Sequence, residues 1–243
     1  IDKDIFNNFI EDINILNKLG LSIVVVHGGG PRIKRELDKS NIQTKFIRGL
    51  RVTDEKIIKI IESVLIDFNN DIVIALKKKG LEAISINTKT NNIINVIPEK
   101  EELGFVGIPN KINTDIIKGI IEKNQIPVVA PLGLGKNNDP YNINGDTAAG
   151  AIAKSLNARR LLLMTNVEGV LDKEKKLIAE ISSSKILEMI KNEIITGGMI
   201  PKINTCLDAV NKGVRGVVIM DGRKNHSILN EIFSDAGVGT LIR

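Results

Sequence analysis

Ile23-Val24-Val25-Val26-His27-Gly28-Gly29-Gly30-Pro31 constrains the fold more than any other stretch of the chain. Four β-branched residues predict a buried strand, and the three glycines end it sharply. Pro31 suits the first position of a helix that Ile33 and Leu37 continue. A glycine run between strand and helix exposes backbone N–H groups with no side chain to shield them. The helix N-terminus adds partial positive charge there, so the turn suits a phosphate or carboxylate. A tight connection with no ligand is the alternative.

The same strand-then-helix alternation continues along the 243 residues. Phe6, Phe9, Ile10, Ile13 and Leu16 recur at helical spacing, with Gly20 as a stop. Thr53 or Asp54 could cap a helix with the stripe Ile57, Ile60, Ile61, Val64, Leu65 and Phe68, and a second helix is expected over 72–78. Short β pieces follow from Ala83 to Phe105, with a turn at 87–92. Next come a helix over 114–123, a buried strand over 126–131, a helix over 146–156 and a strand over 161–164. A helix over 199–212, a strand over 216–220 and a helix over 227–233 complete the pattern. Buried apolar strands alternating with amphipathic helices argue for an α/β, largely parallel sheet covered on both faces. We expect two lobes, 1–140 and 141–243, sharing one continuous sheet, with a soft division at 139–144.

Hydrophobic residues make up 42% of the chain, enough for a sizeable core, and no apolar run approaches a membrane span. The net charge of +5 comes from scattered lysines, Trp is absent and there is one Tyr, so no basic-aromatic surface for nucleic acid is expected. Cys206 is the only cysteine, which excludes an internal disulfide and a cysteine-based zinc site and fits a reducing, cytoplasmic setting.

Several further segments could carry chemistry. Asn142, Asn144 and Asp146 alternate in a loop that leads into a helix, so they could grip a polar ligand from one side. Asp146 could equally be a plain helix cap. Arg51, in Gly49-Leu50-Arg51-Val52-Thr53, could fork onto a carboxylate or sit as an ordinary surface arginine. Met164 to Asp172 is a strand end and glycine turn that reads as a nucleotide shelf or a plain connection. Gly197-Gly198-Met199-Ile200-Pro201-Lys202 opens a helix with Lys202 one turn inside, facing a ligand or solvent. A Walker A loop and kinase H-R-D and D-F-G elements are absent. His27-Gly28-Gly29-Gly30 matches a lipase-type oxyanion motif, but no G-x-S-x-G elbow accompanies it. With only His27 and His226, a histidine triad or zinc site is poorly supported, and no residue is assigned to a metal.

Taken together, Val25 to Pro31, Gly49 to Thr53, Tyr141 to Asp146 and Gly197 to Lys202 resemble the acetylglutamate kinases of the amino acid kinase family, across the whole chain and in the family's order. The resemblance implies a three-layer αβα sandwich. It also implies ATP- and Mg²⁺-dependent phosphorylation of the side-chain carboxylate of N-acetyl-L-glutamate, an early step of arginine biosynthesis. Gly29 and Gly30 would hold the substrate and the transferring phosphoryl group, Arg51 the α-carboxylate, and Asn142 and Asn144 the rest of the polar pocket. Lys202 would neutralise the phosphoryl group and Asp146 would orient the lysines. Thr165, Asn166, Val167, Glu168, Gly169, Val170 and Leu171, with Ile194, Ile195 and Thr196, would border ATP. The C-terminal piece from His226 through Glu231, Ala236 and Gly237 to Thr240 resembles arginine-inhibited members. His226, Glu231 and Gly237 are therefore implied as regulatory residues. A homodimer or hexamer and a PII signalling protein are the implied protein partners, and a plastid setting stays open beside the cytoplasm. The family's first strand carries a lysine and a Gly-Gly pair, and we expect it upstream of Ile1. A kinase for an aminoadipate-type substrate and a non-catalytic arginine-sensing module are the competing readings.

Overall fold

The computed structural model describes residues 2–235 and 237–243. Two compact units emerge, Gly20–Ile152 and residues 2–19 with Ala153–Arg243. Their boundary falls inside helix Gly145–Ser155.

In the first unit, Ile126–Val129 is the central strand of a parallel sheet between Val25–Val26 and Ala83–Ile86. All four central residues are buried, as expected of a parallel strand covered on both faces. Only Val25 and Val26 of the anticipated strand join this ladder, pairing with Val128 and Val129. Helix Gly30–Lys39 contributes Ile33 and Leu37 to a core with Ile57, Ile61 and Leu65 of helix Glu55–Lys78 and with Ala130 and Leu132. A second, mixed sheet runs in the order Gly107–Ile112, Ile94–Pro98, Leu132–Leu134, Pro140–Asn142. Pro109, which has no N–H to donate, lies on its edge strand. Within this unit the strands form these two sheets and a separate two-stranded ladder.

Two local elements differ from expectation. Residues 55–78 form one helix of 24 residues rather than two, begun by Asp54, whose carboxylate accepts the Ile57 N–H at 2.8 Å. The supposed break at Asn69-Asn70-Asp71 fails because Asn69 is fully buried and finds side-chain partners there. The polar link before Arg51 is a hairpin of Phe46–Ile47 and Leu50–Arg51, closed by Arg48 and Gly49 with φ of 50° and 81°. Two consecutive positive φ values are what a type I′ turn requires.

In the second unit, Leu161–Thr165 runs parallel to Val217–Asp221, in register from Leu161↔Val217 to Thr165↔Asp221. Thr240–Ile242 pairs antiparallel with Val217–Asp221 and parallel with Glu180–Ile181. Helices Lys3–Lys18, Ser183–Lys191, Met199–Asn211 and Ser227–Phe233 belong to this unit. Cys206 is buried on Met199–Asn211.

Candidate active site

The three glycines do two different jobs. Gly29 is the N-cap of helix Gly30–Lys39, its carbonyl accepting the Ile33 N–H at 2.9 Å. A Cβ there would lie 2.4 Å from Leu65 Cδ2, a side chain buried in the core. A Cβ on Gly28 or Gly30 would meet no atom within 4 Å. Core packing therefore demands glycine at 29, whereas at 28 and 30 its absence of a side chain leaves backbone open to a ligand.

That opening is a cavity of about 290 Å³, lined among the described residues by Gly28 to Gly30 together with Arg51, Asn142, Asn144 and Asp146. The residues anticipated for the acceptor, far apart in sequence, thus share one space. Ile33, Leu50, Leu65 and Val106 supply apolar wall. Arg51 is its one lining cation and Asp146 its one lining carboxylate among the described residues.

Arg51 is held at both ends. Its carbonyl accepts the hydroxyl of buried Thr53 at 2.8 Å, and its Nη1 donates to Thr44 Oγ1 at 2.6 Å. The guanidinium lies 4.6 Å over the Phe46 ring. Burial lowers its pKa from the ordinary value, Asp38 opposing, and the group stays cationic at neutral pH. Sequence reasoning missed Thr44 and Phe46. The signal was Arg48-Gly49, a two-residue hairpin turn that sets Phe46 opposite Arg51.

Asn142 ends strand Pro140–Asn142, paired with Leu132, and its N–H donates to the Phe105 carbonyl at 2.9 Å. Asn144, not Asp146, caps the following helix: its Oδ1 accepts the Thr147 N–H at 3.1 Å. Asp146 lies inside the first turn, which removes the plain-cap alternative for it.

His27 immediately precedes the glycines and is 7% exposed. Burial pushes its imidazole down to about 4, opposed by a hydrogen bond to the Gly28 carbonyl and aided by Arg32. The ring is therefore neutral at physiological pH.

The residues anticipated for nucleotide lie in the second unit, and Thr165 to Leu171 among them lie at and beyond the carboxyl end of parallel strand Leu161–Thr165. Thr165 closes Leu161–Thr165, and its carbonyl accepts the Gly222 N–H at 2.9 Å. Arg223 forks onto buried Asp221 and donates to the Asn166 carbonyl at 2.8 Å. Lys224 pairs with Glu168 at 2.7 Å. Gly169 has φ 153° and packs so tightly that a Cβ would stand 2.4 Å from Thr240 Oγ1. Thr240 Oγ1 accepts the Val170 N–H at 2.8 Å and donates to the Ile178 carbonyl. Residues 165–171 thus form a braced shelf with Val167 and Leu171 exposed. Asp221 and Arg223 were not anticipated, and Thr240 only as the end of the regulatory segment, because their roles here depend on strand register.

Ile194 follows helix Ser183–Lys191, its N–H donating to Met189, while Ile195 is buried and Thr196 exposed. Gly197 takes φ 57° and Gly198 caps helix Met199–Asn211, whose first turn carries Lys202. Of the anticipated regulatory residues, His226 has its Nδ1 2.6 Å from Oδ1 of buried Asp12. Glu231 meets the Gly237 loop, accepting the Val238 and Gly239 N–H groups at 2.8 and 3.2 Å. Ala236, part of that anticipated segment, lies outside the described residues.

Chemically, the cavity offers a cation, two amides and bare glycine backbone beside apolar wall, which suits a small anion with an apolar part. The shelf offers backbone and ion pairs at a parallel sheet's carboxyl edge, where α/β folds take nucleotides.

The chain is similar to known proteins along its length. The model of the amino acid kinase family matches residues 2–221. Acetylglutamate kinase of Pelagibacter ubique is 55% identical over all of this chain and 84% of its own length. The acetylglutamate kinase of Clostridioides difficile is 46% identical over 96% of this chain and 84% of its own. A crystal structure of smu.665 from Streptococcus mutans superposes with a TM-score of 0.83 at 32% identity, over 96% of this chain and 90% of that one. The α/β sandwich with mostly parallel sheets is thereby the fold of this chain.

Proposed function

We propose, for a chain that belongs to the amino acid kinase family and is an acetylglutamate kinase, that it transfers the γ-phosphoryl group of ATP to the side-chain carboxylate of N-acetyl-L-glutamate. The observation that carries the acceptor assignment is the meeting of Arg51, Asn142 and Asn144 with the glycine turn around one cavity. Arg51 binds the α-carboxylate, the two asparagines bind the remaining polar groups, and the apolar wall receives the methyl and methylene carbons. The acceptor oxygen is already ionised at neutral pH, so no general base is required. The difficulty is bringing an anion toward a polyanion, and positioned donors with positive charge offset that repulsion.

The reading puts the acceptor with residues 1–140 and the segment 142–146, and ATP with residues 165–171, 194–196 and Lys202. Lys202 neutralises charge on the moving phosphoryl group, and Asp146 orients the site's lysines. Bound with ATP, Mg²⁺ would supply charge neutralisation on the phosphates. Arginine feedback through His226, Glu231 and Gly237, assembly as a homodimer or hexamer, and binding of a PII protein belong to the same reading.

A coupled ADP-release assay on the full-length protein tests it. Turnover is expected with N-acetyl-L-glutamate and at least tenfold less kcat/KM with glutamate or N-acetyl-aminoadipate, since each leaves polar groups unpaired or overfills the cavity. Preference for the aminoadipate derivative would transfer the assignment to that branch. Turnover with none of the three would favour a sensor. In the same assay, millimolar arginine should inhibit, and its failure to do so rejects the regulatory assignment.

A further inference from the structure

A one-way chain of hydrogen bonds runs behind the glycine turn, and every donor in it is identifiable. Asn87 Nδ2 donates to Ser85 Oγ at 2.9 Å, and that hydroxyl donates to Asn69 Oδ1 at 2.6 Å. Asn69 Nδ2 donates to the Val128 carbonyl at 2.9 Å and meets His27 Nε2 at 3.1 Å. An amide NH₂ can only donate, so Nε2 is the acceptor and the ring proton sits on Nδ1. His27 Nδ1 then donates to the Gly28 carbonyl at 2.8 Å. The ring is also fixed edge-on to Phe68, centroids 5.0 Å apart.

The Gly28 carbonyl shares a peptide plane with the Gly29 N–H. In a trans peptide the two point in opposite directions, and no cis bond occurs among the described residues. Gly28 and Gly29 line the cavity, and buried His27 is not among its lining residues. With the carbonyl held toward the imidazole, the Gly29 N–H points away from the ring.

We propose that His27 is a positioning residue for phosphoryl transfer: held as the Nδ1–H tautomer by Asn69, it fixes the Gly28–Gly29 peptide so that the Gly29 N–H faces the reacting anion. The proposal rests on the acetylglutamate kinase reading for the identity of that anion, but not for the orientation of the peptide. A protonated ring would set Nε2–H against the Asn69 amide, and burial keeps the ring neutral.

Three variants test it in the full-length enzyme. His27→Phe keeps bulk and removes the donor. His27→Asn returns an N–H near the Nδ1 position, and His27→Gln puts one near Nε2 instead. Thermal unfolding establishes that each is folded. His27→Phe is expected to lower kcat by about a hundredfold, the size of one lost transition-state donor, with KM for ATP within about twofold of wild type. His27→Asn should recover at least about tenfold of that kcat loss, and His27→Gln should not. Folded His27→Phe with wild-type kcat, or His27→Asn no better than His27→Phe, overturns the role. A crystal structure of His27→Phe reads the peptide directly: a rotated Gly28–Gly29 plane supports the proposal, and an unmoved one rejects it. Wild-type inactivity toward N-acetyl-L-glutamate would instead count against the proposed function, and the peptide plane would still decide the role of His27.

Discussion

Gly28 and Gly29 are adjacent and chemically identical, yet the structure holds them for opposite reasons. Gly29 faces Leu65 in the core, whereas Gly28 faces open space. Gly29→Ala must displace Leu65 and should cost about 1–3 kcal/mol, the range for overpacking a core. Gly28→Ala should leave stability within about 0.5 kcal/mol of wild type, because its methyl touches no protein atom. That methyl would enter the cavity, so acceptor KM should rise while the thermal midpoint holds. Urea unfolding and steady-state kinetics on both variants check the contrast. Both glycines were legible in the sequence as one cradle. Their division of labour was not, because Leu65 reaches Gly29 from a helix that local pattern cannot orient.

At the scale of elements, helix Glu55–Lys78 shows how local preference and tertiary demand diverge. Asparagine favours turns because its side chain competes for backbone partners, so Asn69-Asn70-Asp71 reads as a break. In the fold, Asn69 is fully buried and its amide joins His27, the Val128 carbonyl and Ser85. The helix thereby braces both the glycine turn and the central strand. Asn69→Ala removes a partner from two buried groups, His27 Nε2 and the Val128 carbonyl, and from part-buried Ser85, and is expected to destabilise the protein by about 2–4 kcal/mol, judged by the cost of unsatisfied buried polar atoms. Chemical denaturation of Asn69→Ala, His27→Phe and the double variant measures this. The double variant should be less destabilised than the sum, since the two residues share one network. The cap of the same helix needed no such context: Asp54 sits within one turn of the N–H it accepts.

For the whole molecule, the buried histidine ties stability to pH. His27 has an ordinary pKa of 6.5 and is pushed down to about 4 in the fold, so the unfolded chain binds the extra proton between those values. Its contribution is complete above pH 6.5 and is lost as pH falls toward 4, amounting to about 3 kcal/mol for a shift of that size. Asp221 has the opposite origin but the same direction: hydrogen bonding from Arg223 holds its carboxyl below the ordinary value, so its contribution disappears only at more acid pH. Denaturant midpoints measured from pH 7.5 to 4 should fall in wild type and fall less in His27→Asn, which carries no titrating ring. The amino-acid sequence by itself determined the strand–glycine–helix unit, most helices, the cap at Asp54 and the site's polar inventory, because these depend on neighbours within a turn or on residue chemistry. Tertiary structure alone decided that Arg51 and Asn142 share a cavity and that Asn69 meets His27 and Val128. It likewise decided that Thr240 braces the shelf at Gly169 and Val170. Those contacts join residues tens of positions apart, and only the packing of helices onto a completed sheet sets which of them meet.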